Sequence, residues 1–297
     1  MSNDLPEMSF GDRLFAAVQQ VLPTRWLSTA VFHLTQIETP WFKNALMRLF
    51  LKGFAIDLSE AETSRIENYR SFNHFFTRAL KPGARPLPED PRAFVSPVDG
   101  TVSQFGDIRD GRLIQAKGRD YSVLELLGGE PRLAERFAKG RFCTIYLAPY
   151  NYHRIHMPIG GTLSRWTYVP GRLFSVNAAT ARALPNLFTR NERVNAVFET
   201  EAGPVGLAMI GALFVGSMET VWAGRITPPH LREGGPFHYA PHDPVTLRRG
   251  DEMGRFNMGS TVILLLPENG LDWEPALQPG QAIRMGQPLG RWQPKQG

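Results

Sequence analysis

The sequence predicts a mainly β body with helices along its N-terminal edge, and three observations predict it. Three segments before residue 55 carry helical periodicity, and short β-type runs separated by Gly or Pro follow from residue 101. The 24 prolines and 28 glycines are scattered without a period, as punctuation between many short strands requires. With 297 residues, 42% of them hydrophobic and 11% aromatic, the chain can fill a sizeable core and does not have a disordered composition.

The first helix is expected from Phe10, Leu14, Phe15, Val18 and Leu22, the second from Trp26, Ala30, Val31 and Leu34, and the third from Phe42, Leu46, Leu49, Phe50 and Phe54. Pro23 and Pro40 divide them, because proline is disfavoured inside a helix and tolerated at its start. Their apolar faces are rich in aromatics, which suits either a membrane interface or packing on the protein's own core. A further helix is expected over residues 68–80, stopped by Lys81-Pro82-Gly83, and the prolines that follow up to Pro97 imply an extended connection. Strands are then expected over residues 101–105, 142–147, 205–215, 219–226 and 260–266. Gln278-Pro279-Gly280-Gln281 and Met285-Gly286-Gln287-Pro288 read as tight turns closing a small barrel or sandwich.

Composition excludes several function classes. A lone cysteine, Cys143, makes neither an intrachain disulfide nor a thiolate metal cluster. No secretory signal is evident, and the longest apolar stretches, 208–215 and 262–266, are far short of the roughly 20 residues that span a bilayer. The net charge is +5, and residues 162–195 hold Arg165, Arg172, Arg182, Arg190 and Arg193 against one acid, Glu192. Such a stretch meets phosphate, anionic lipid or nucleic acid, or is simply solvated.

His153 and His156 lie four and seven residues after Pro149 in a strand-like run ending at Met157-Pro158, whereas His230, His238 and His242 lie in a Pro-rich loop. Metal ligation and acid/base work compete as readings of the first pair. A His-Glu-x-x-His form is missing, so a metal hydrolase has little support, and the loop histidines read as a polar loop. Asp99-Gly100 is by itself a turn signal, and Gly259-Ser260 stands at the entry of the most apolar strand. Neither Ser260 nor Ser217 sits in a Gly-x-Ser-x-Gly elbow.

Five segments, in this order, carry a resemblance that covers most of the chain: Phe75-Phe76-Thr77-Arg78-Ala79-Leu80-Lys81-Pro82-Gly83-Ala84-Arg85-Pro86, Ser96-Pro97-Val98-Asp99-Gly100, Tyr152-His153-Arg154-Ile155-His156-Met157-Pro158, Val215-Gly216-Ser217-Met218-Glu219, and Arg249-Gly250-Asp251-Glu252-Met253-Gly254-Arg255-Phe256, which runs on into Met258-Gly259-Ser260-Thr261. Each motif alone is weak and their order is specific. The chain resembles the phosphatidylserine decarboxylase proenzymes of the bacterial membrane-associated type. Met258 stands where the family has Leu, a substitution that conserves volume.

The resemblance implies an α+β fold, a mainly antiparallel β core with a barrel-like centre and N-terminal amphipathic helices. It implies a membrane-associating segment over residues 1–60 and a catalytic domain over 61–297, cleaved between Gly259 and Ser260 into chains 1–259 and 260–297. Asp99, His156 and Ser260 are implied as the self-cleavage triad, with Ser260 becoming the pyruvoyl cofactor and Schiff-base site, and His153 as proton donor in decarboxylation. The arginine-rich stretch is a low-specificity candidate for substrate binding, through Phe174, Ser175, Asn177 and Arg193. Implied partners are phosphatidylserine in the membrane, the paired large and small chains, and a dimer of that pair, with no nucleic acid and no metal. Implied location is the cytoplasmic side of the cell membrane, bound peripherally.

The chemistry is consistent with those residue types. Gly259 puts no Cβ in the path of the Ser260 hydroxyl, and a histidine that takes the hydroxyl proton makes serine a nucleophile toward its own preceding carbonyl. An unprocessed lipid-binding relative and a metal-dependent hydrolase stand as alternatives. A lipoyl-type carrier needs an acceptor lysine at a hairpin tip, and residues 248–261 contain no lysine.

Overall fold

The computed structural model describes residues 9–116, 118–214, 217–230 and 235–294. Helix α1 (Phe10–Val21) starts at a capping box: Ser9 Oγ accepts from Asp12 N at 3.1 Å, and the Asp12 carboxylate accepts from Ser9 N at 3.3 Å. Helices α2 (Thr24–Thr35) and α3 (Pro40–Gly53) follow, each beginning beside the proline expected to divide them. The helix expected over 68–80 is much shorter. A 3₁₀ turn at Ile66–Asn68 precedes α4 (Phe72–Phe76), which Ser71 caps by accepting from His74 N, and the chain leaves the helix at Thr77, whose hydroxyl donates back to Asn73 O. Ser and Thr side chains thus satisfy main-chain groups that a longer helix would have used.

The body is a nine-stranded antiparallel sheet. In chain order its strands are β1 (Gly100–Asp107), β2 (Arg141–Tyr146), β3 (Gly161–Val169), β4 (Arg193–Thr200), β5 (Gly203–Ile210), β6 (Phe237–Tyr239), β7 (Thr246–Leu247), β8 (Thr261–Leu266) and β9 (Ala282–Ile283). Their spatial order is β6-β3-β4-β5-β8-β2-β1-β9, with β7 also beside β3. Its ends are two- and three-residue strands, and among the described residues no pairing joins them. Among the described residues no closed barrel is found.

Strand β8 lies at the heart of this sheet, paired with β5 on one side and β2 on the other, and all six of its residues are buried. A short unbroken apolar run is the pattern of a strand covered on both faces. The strand expected to reach residue 215 stops at Ile210. Phe214 then takes a left-handed φ of 65°, and Val215 and Gly216 lie outside the described residues. The strand expected over 219–226 is two short ones, Met218–Thr220 and Gly224–Arg225, folded on each other.

A four-stranded sheet built from Gly224–Arg225, Met218–Thr220, Glu252–Phe256 and Arg154–His156 sets the histidine motif beside the segment that leads to Gly259. The N-terminal helices have two kinds of face. Met47, with Leu46 and Phe50 beside it, packs against Tyr69, Phe72, Phe75 and Phe76, seating α3 on α4. Phe10, Val21, Trp26, Trp41 and Leu49 point outward with 68–83% of their surface exposed. Among the described residues no helix is long and apolar enough to cross a membrane.

Candidate active site

Strand β8 delivers Ser260 to the floor of the site. Its residue surface is fully buried, its carbonyl accepts from Leu147 N at 2.8 Å, and its Oγ has no hydrogen-bond partner. An orphaned hydroxyl in a dry interior costs about 1–3 kcal/mol, so it marks a place where something other than stability is served. Gly259 precedes it with no side chain, and a Cβ at that position would stand 3.2 Å from Leu147 O and 3.3 Å from His153 Nε2.

His153 is also fully buried, and it is held for one task. Its Nδ1 is bonded to Asn151 O at 2.8 Å, which fixes the proton on that nitrogen and leaves Nε2 as a bare lone pair without a partner. The ring of Phe76 lies against the imidazole at 4.1 Å between centroids. Burial, assisted by the nearby Arg78 charge, holds the imidazole down to about 3, so it is neutral at physiological pH. Arg78 is itself buried, with Nε and Nη1 unpartnered, and burial lowers its pKa.

His156 sits on the neighbouring edge with both ring nitrogens occupied: Nδ1 bonds Gly250 O and Nε2 accepts from Tyr152 Oη, each at 2.8 Å. Burial keeps it neutral as well. Asp99 is gripped by Arg85, whose Nε and Nη2 reach its two carboxylate oxygens at 3.0 and 2.6 Å, and it also accepts from Met285 N. Arg85 shares its other arm with Glu60, and the two carboxylates hold its pKa above the ordinary value against the opposing effect of burial. Of the three residues implied as a triad, Asp99 and His156 stand near enough for the carboxylate to act on the imidazole through its charge, but they share no hydrogen bond. The side chain whose unpartnered nitrogen stands against Gly259 is His153.

A cavity of about 250 Å³ opens onto this floor, lined chiefly by Phe50, Phe54, Phe76, Leu147, Phe214 and Met258, with Gly259 at its base. Helices α3 and α4 therefore build part of the site. Of the four residues proposed to bind substrate, Ser175 lines this cavity. Phe174 is buried between Arg172 and Arg190, and Asn177 caps the helix Ala178–Ala183 through Thr180 N. Arg193 is 2% exposed, and its guanidinium donates to the carbonyls of Glu125, Leu126, Thr189 and Asn191. Four of its five N–H groups are thus spent on main-chain carbonyls in the interior, and the sequence could not show that its charge points inward.

Sequence reasoning missed Tyr152, Asn151, Arg85 and Asn73. The last donates to Asn257 O at 3.0 Å, and Asn257 in turn donates to Ser217 Oγ and Glu219, so α4 and the Ser217-Met218-Glu219 segment brace the strand end before Gly259. Arg85, Tyr152 and Glu219 were inside the quoted motifs, which was the available signal. Among the described residues no group of three or more His, Cys, Asp and Glu side chains is placed to hold a metal ion.

Comparisons with known proteins identify the family. The family model described as phosphatidylserine decarboxylase matches residues 72–291, and a second, described as PSD, matches residues 14–55. The chain belongs to the phosphatidylserine decarboxylase family. Phosphatidylserine decarboxylase proenzyme of Pseudomonas fluorescens is 52% identical over 285 residues, covering 95% of this chain and 99% of that protein. The proenzyme of Nitrosococcus oceani is 50% identical over 94% of this chain and 92% of its own length, and that of a Shewanella species is 52% identical over 93% and 96%. The matched region takes in both histidines, the Gly259–Ser260 bond and the whole central sheet. The second match covers most of α1 and all of α2 and of α3, so the N-terminal helices are a family feature as well.

Proposed function

We propose that the chain is a self-cleaving proenzyme that, once processed at Gly259–Ser260, decarboxylates phosphatidylserine to phosphatidylethanolamine and CO2. The observation that carries this is the pair of orphaned, buried polar atoms at one peptide bond: Ser260 Oγ and, beside Gly259, His153 Nε2. In the processing step Ser260 Oγ attacks the Gly259 carbonyl, its proton passes to a histidine, and the amide becomes an ester. Loss of the Ser260 Cα proton then expels the Gly259 carboxylate, and hydrolysis of the resulting dehydroalanine releases ammonia and leaves a pyruvoyl group on chain 260–297.

Residues at the site suit that group. The hydroxyl it derives from is free, the space at Gly259 is unfilled by a side chain, and the surrounding cavity is apolar. The pyruvoyl ketone supplies an electron sink for the bonding pair left when carboxylate departs as CO2. Asp99 and His156 are read as the processing pair, with Tyr152 holding His156 Nε2 until Ser260 needs it. His153 is read as the proton carrier of decarboxylation. Being neutral, it has no proton on Nε2 to give at the outset. Decarboxylation consumes one proton overall, so the proton that His153 hands to Cα after CO2 leaves is replaced from solvent.

The small chain stays attached by three strands: β8 between β5 and β2, β9 on β1, and Pro288–Trp292 on Ala93–Val95. A diacyl substrate lies in a bilayer, and the outward Phe10, Trp26 and Trp41 of residues 1–60 suit insertion into its interface, on the cytoplasmic face of the cell membrane. Intact-mass analysis under denaturing conditions tests the whole reading. Two chains divided after Gly259, the smaller reacting with a hydrazine, are expected. His156→Gln is expected to remain one chain of 33.3 kDa, and His153→Gln to cleave but release no CO2. The reverse pattern gives His153 the processing role, and cleavage in neither wild type nor variants sinks the proposal.

A further inference from the structure

A second cavity of about 400 Å³, with none of its lining residues in common with the cavity at Gly259, lies between α2 and the segment running from Arg225 to His230. Ser28, on one face of α2, accepts from Phe214 N at 3.1 Å and so touches the wall of the reaction cavity, while Arg25, Trp26, Phe32 and His33 face the second one. Two guanidinium groups reach it. Arg25 holds Gly171 O with Nε and Nη2, leaving Nη1, and Arg225 lies over the Phe32 ring at 5.4 Å. Among the described residues neither is in an ion pair.

The third wall is a buried histidine with a carboxylate behind it. His230 Nδ1 donates to Glu192 at 2.8 Å, Glu192 is fully buried and also accepts from Tyr168 Oη, and the His230 side chain is 3% exposed. With its Nδ1 proton so placed, the atom left to meet a ligand is Nε2, and it has no partner. A carboxylate thus fixes an imidazole that lines the cavity, with its Nε2 buried and, among the described residues, unpartnered, an arrangement suited to receive a hydrogen bond. None of the chemistry at Ser260 uses it.

We infer that this cavity is a second phospholipid headgroup site, taking a phosphodiester on Arg25 and Arg225 and a neighbouring hydroxyl or ammonium on His230 Nε2. Arginine is suited to phosphate oxygens, and only a headgroup with a hydrogen-bond donor satisfies the imidazole as well. Glycerol and ethanolamine headgroups meet both conditions, and a choline headgroup lacks the donor. Trp26, which lines the cavity, is 69% exposed and is one of the outward apolar side chains of the N-terminal helices. That position favours a lipid in the bilayer over a soluble ester. The vesicle measurement below rests on the membrane-facing reading of those helices, whereas the soluble-ligand measurement does not.

The test uses full-length protein with Thr29→Trp, which fills the cavity without changing charge, and with Arg225→Gln, on an exposed strand where folding is not at issue. Arg48→Gln, on α3 and outside the cavity, controls for general electrostatics. Sedimentation is measured with phosphatidylcholine vesicles containing about 30% phosphatidylglycerol, and thermal stabilisation with soluble glycerophosphoglycerol. Both cavity variants are expected to weaken vesicle partition by about five-fold or more, against less than about two-fold for Arg48→Gln. If vesicle binding is unchanged but the soluble ester stabilises wild type and neither variant, the site stands with a soluble phosphodiester as its ligand. If wild type binds no vesicles, the membrane reading of α1 to α3 fails and the soluble measurement decides alone. If the cavity variants match wild type in both measurements, or if Arg48→Gln loses as much as they do and the soluble ester stabilises nothing, the inference is overturned.

Discussion

His153 Nε2 stands 3.3 Å from the point where a β-carbon on Gly259 would be, and nothing else bonds to it. At the bond proposed to be cleaved, glycine therefore meets a spatial requirement. A methyl at this position presses on the imidazole and on Leu147 O together, and Leu147 is fastened by its own N–H to Ser260 O. Gly259→Ala is expected to fold, with a melting temperature within about 3 °C of wild type. It is expected to cleave at least about ten-fold more slowly, a cost of about 1.4 kcal/mol in the barrier. A mass-spectrometric time course measures this, and cleavage at the wild-type rate means the close approach has no part in processing.

The neutral state of His153 makes a prediction about acid stability with a definite sign. Its pKa is lowered from 6.5 to about 3 in the folded protein, first by burial and then by Arg78, while the unfolded chain titrates normally. Protons thus bind the unfolded state preferentially between those values. Stability from this group is complete above pH 6.5 and is lost as pH falls toward 3, at about 1.4 kcal/mol per pH unit at most. His156 and His74, also lowered mainly by burial, act in the same direction. Urea unfolding at pH 7.5 and 5 is expected to show a smaller difference for His153→Phe than for wild type. Arg78→Met removes a positive neighbour and is expected to raise the His153 pKa, read by an NMR titration of the imidazole carbons. An unchanged titration means Arg78 does not act on this ring.

Arg85 and Asp99 form a close charged contact near the site, with side chains only 7% and 10% exposed. Breaking such a pair from one side strands the other charge, which costs about 3–5 kcal/mol, more than the pair contributes when intact. Arg85→Met is expected to lose that much by urea denaturation. Because Asp99 keeps its bond from Met285 N, Asp99→Asn added to Arg85→Met is expected to recover part of the loss. A double variant as unstable as the sum of the singles means the two residues are not coupled.

Much of this arrangement was legible in the sequence, for physical reasons that differ by element. The divisions at Pro23 and Pro40 held because proline's effect on a helix is local, and β8 was visible because six buried residues in a row leave little choice of pattern. The helix over 68–80 was overestimated because Ser71 and Thr77 compete for main-chain groups in ways periodicity does not register. At the site, Asp99, His153, His156 and Ser260 were implied as a set by the family resemblance, while residue types alone left Asp99-Gly100 a turn and Gly259-Ser260 a strand entry. Which nitrogen is free was beyond both, since Asn151 O, Gly250 O and Tyr152 Oη come from loops and turns that only folding brings to the rings. Arg193 shows the same limit in reverse: a charge that looks like a surface feature in sequence is spent on main-chain carbonyls in the interior.

Trp26 and Trp41 are 69% and 74% exposed, so removing them costs the fold little. Each indole that enters a bilayer interface brings a large apolar surface with it. Replacing both with Ser is expected to weaken vesicle binding by about ten-fold or more while the melting temperature moves by less than about 3 °C. Equal binding by the double variant places the membrane contact elsewhere.

The cleavage proposed after Gly259 would also change what kind of stability the protein has. Before it, β8 belongs to the same chain as β2 and β5. After it, residues 260–297 are held only by strand pairing and by the burial of Val262, Ile263, Leu264, Leu265 and Leu266, each fully inaccessible. Unfolding then releases two molecules instead of one, so the cleaved protein's melting temperature depends on concentration and the proenzyme's does not. Ser260→Ala, which cannot cleave, is expected to melt at one temperature across a hundred-fold dilution, roughly speaking, while cleaved wild type melts lower as it is diluted. Leu265→Ala removes a buried side chain between β2 and β5 and is expected to cost about 2–5 kcal/mol in either form. In the cleaved form that loss also weakens association, so size-exclusion chromatography at low concentration is expected to separate the two chains of the Leu265→Ala protein but not those of wild type. Chains that stay together on dilution in the variant mean that β9 and Pro288–Trp292 carry the attachment without help from β8.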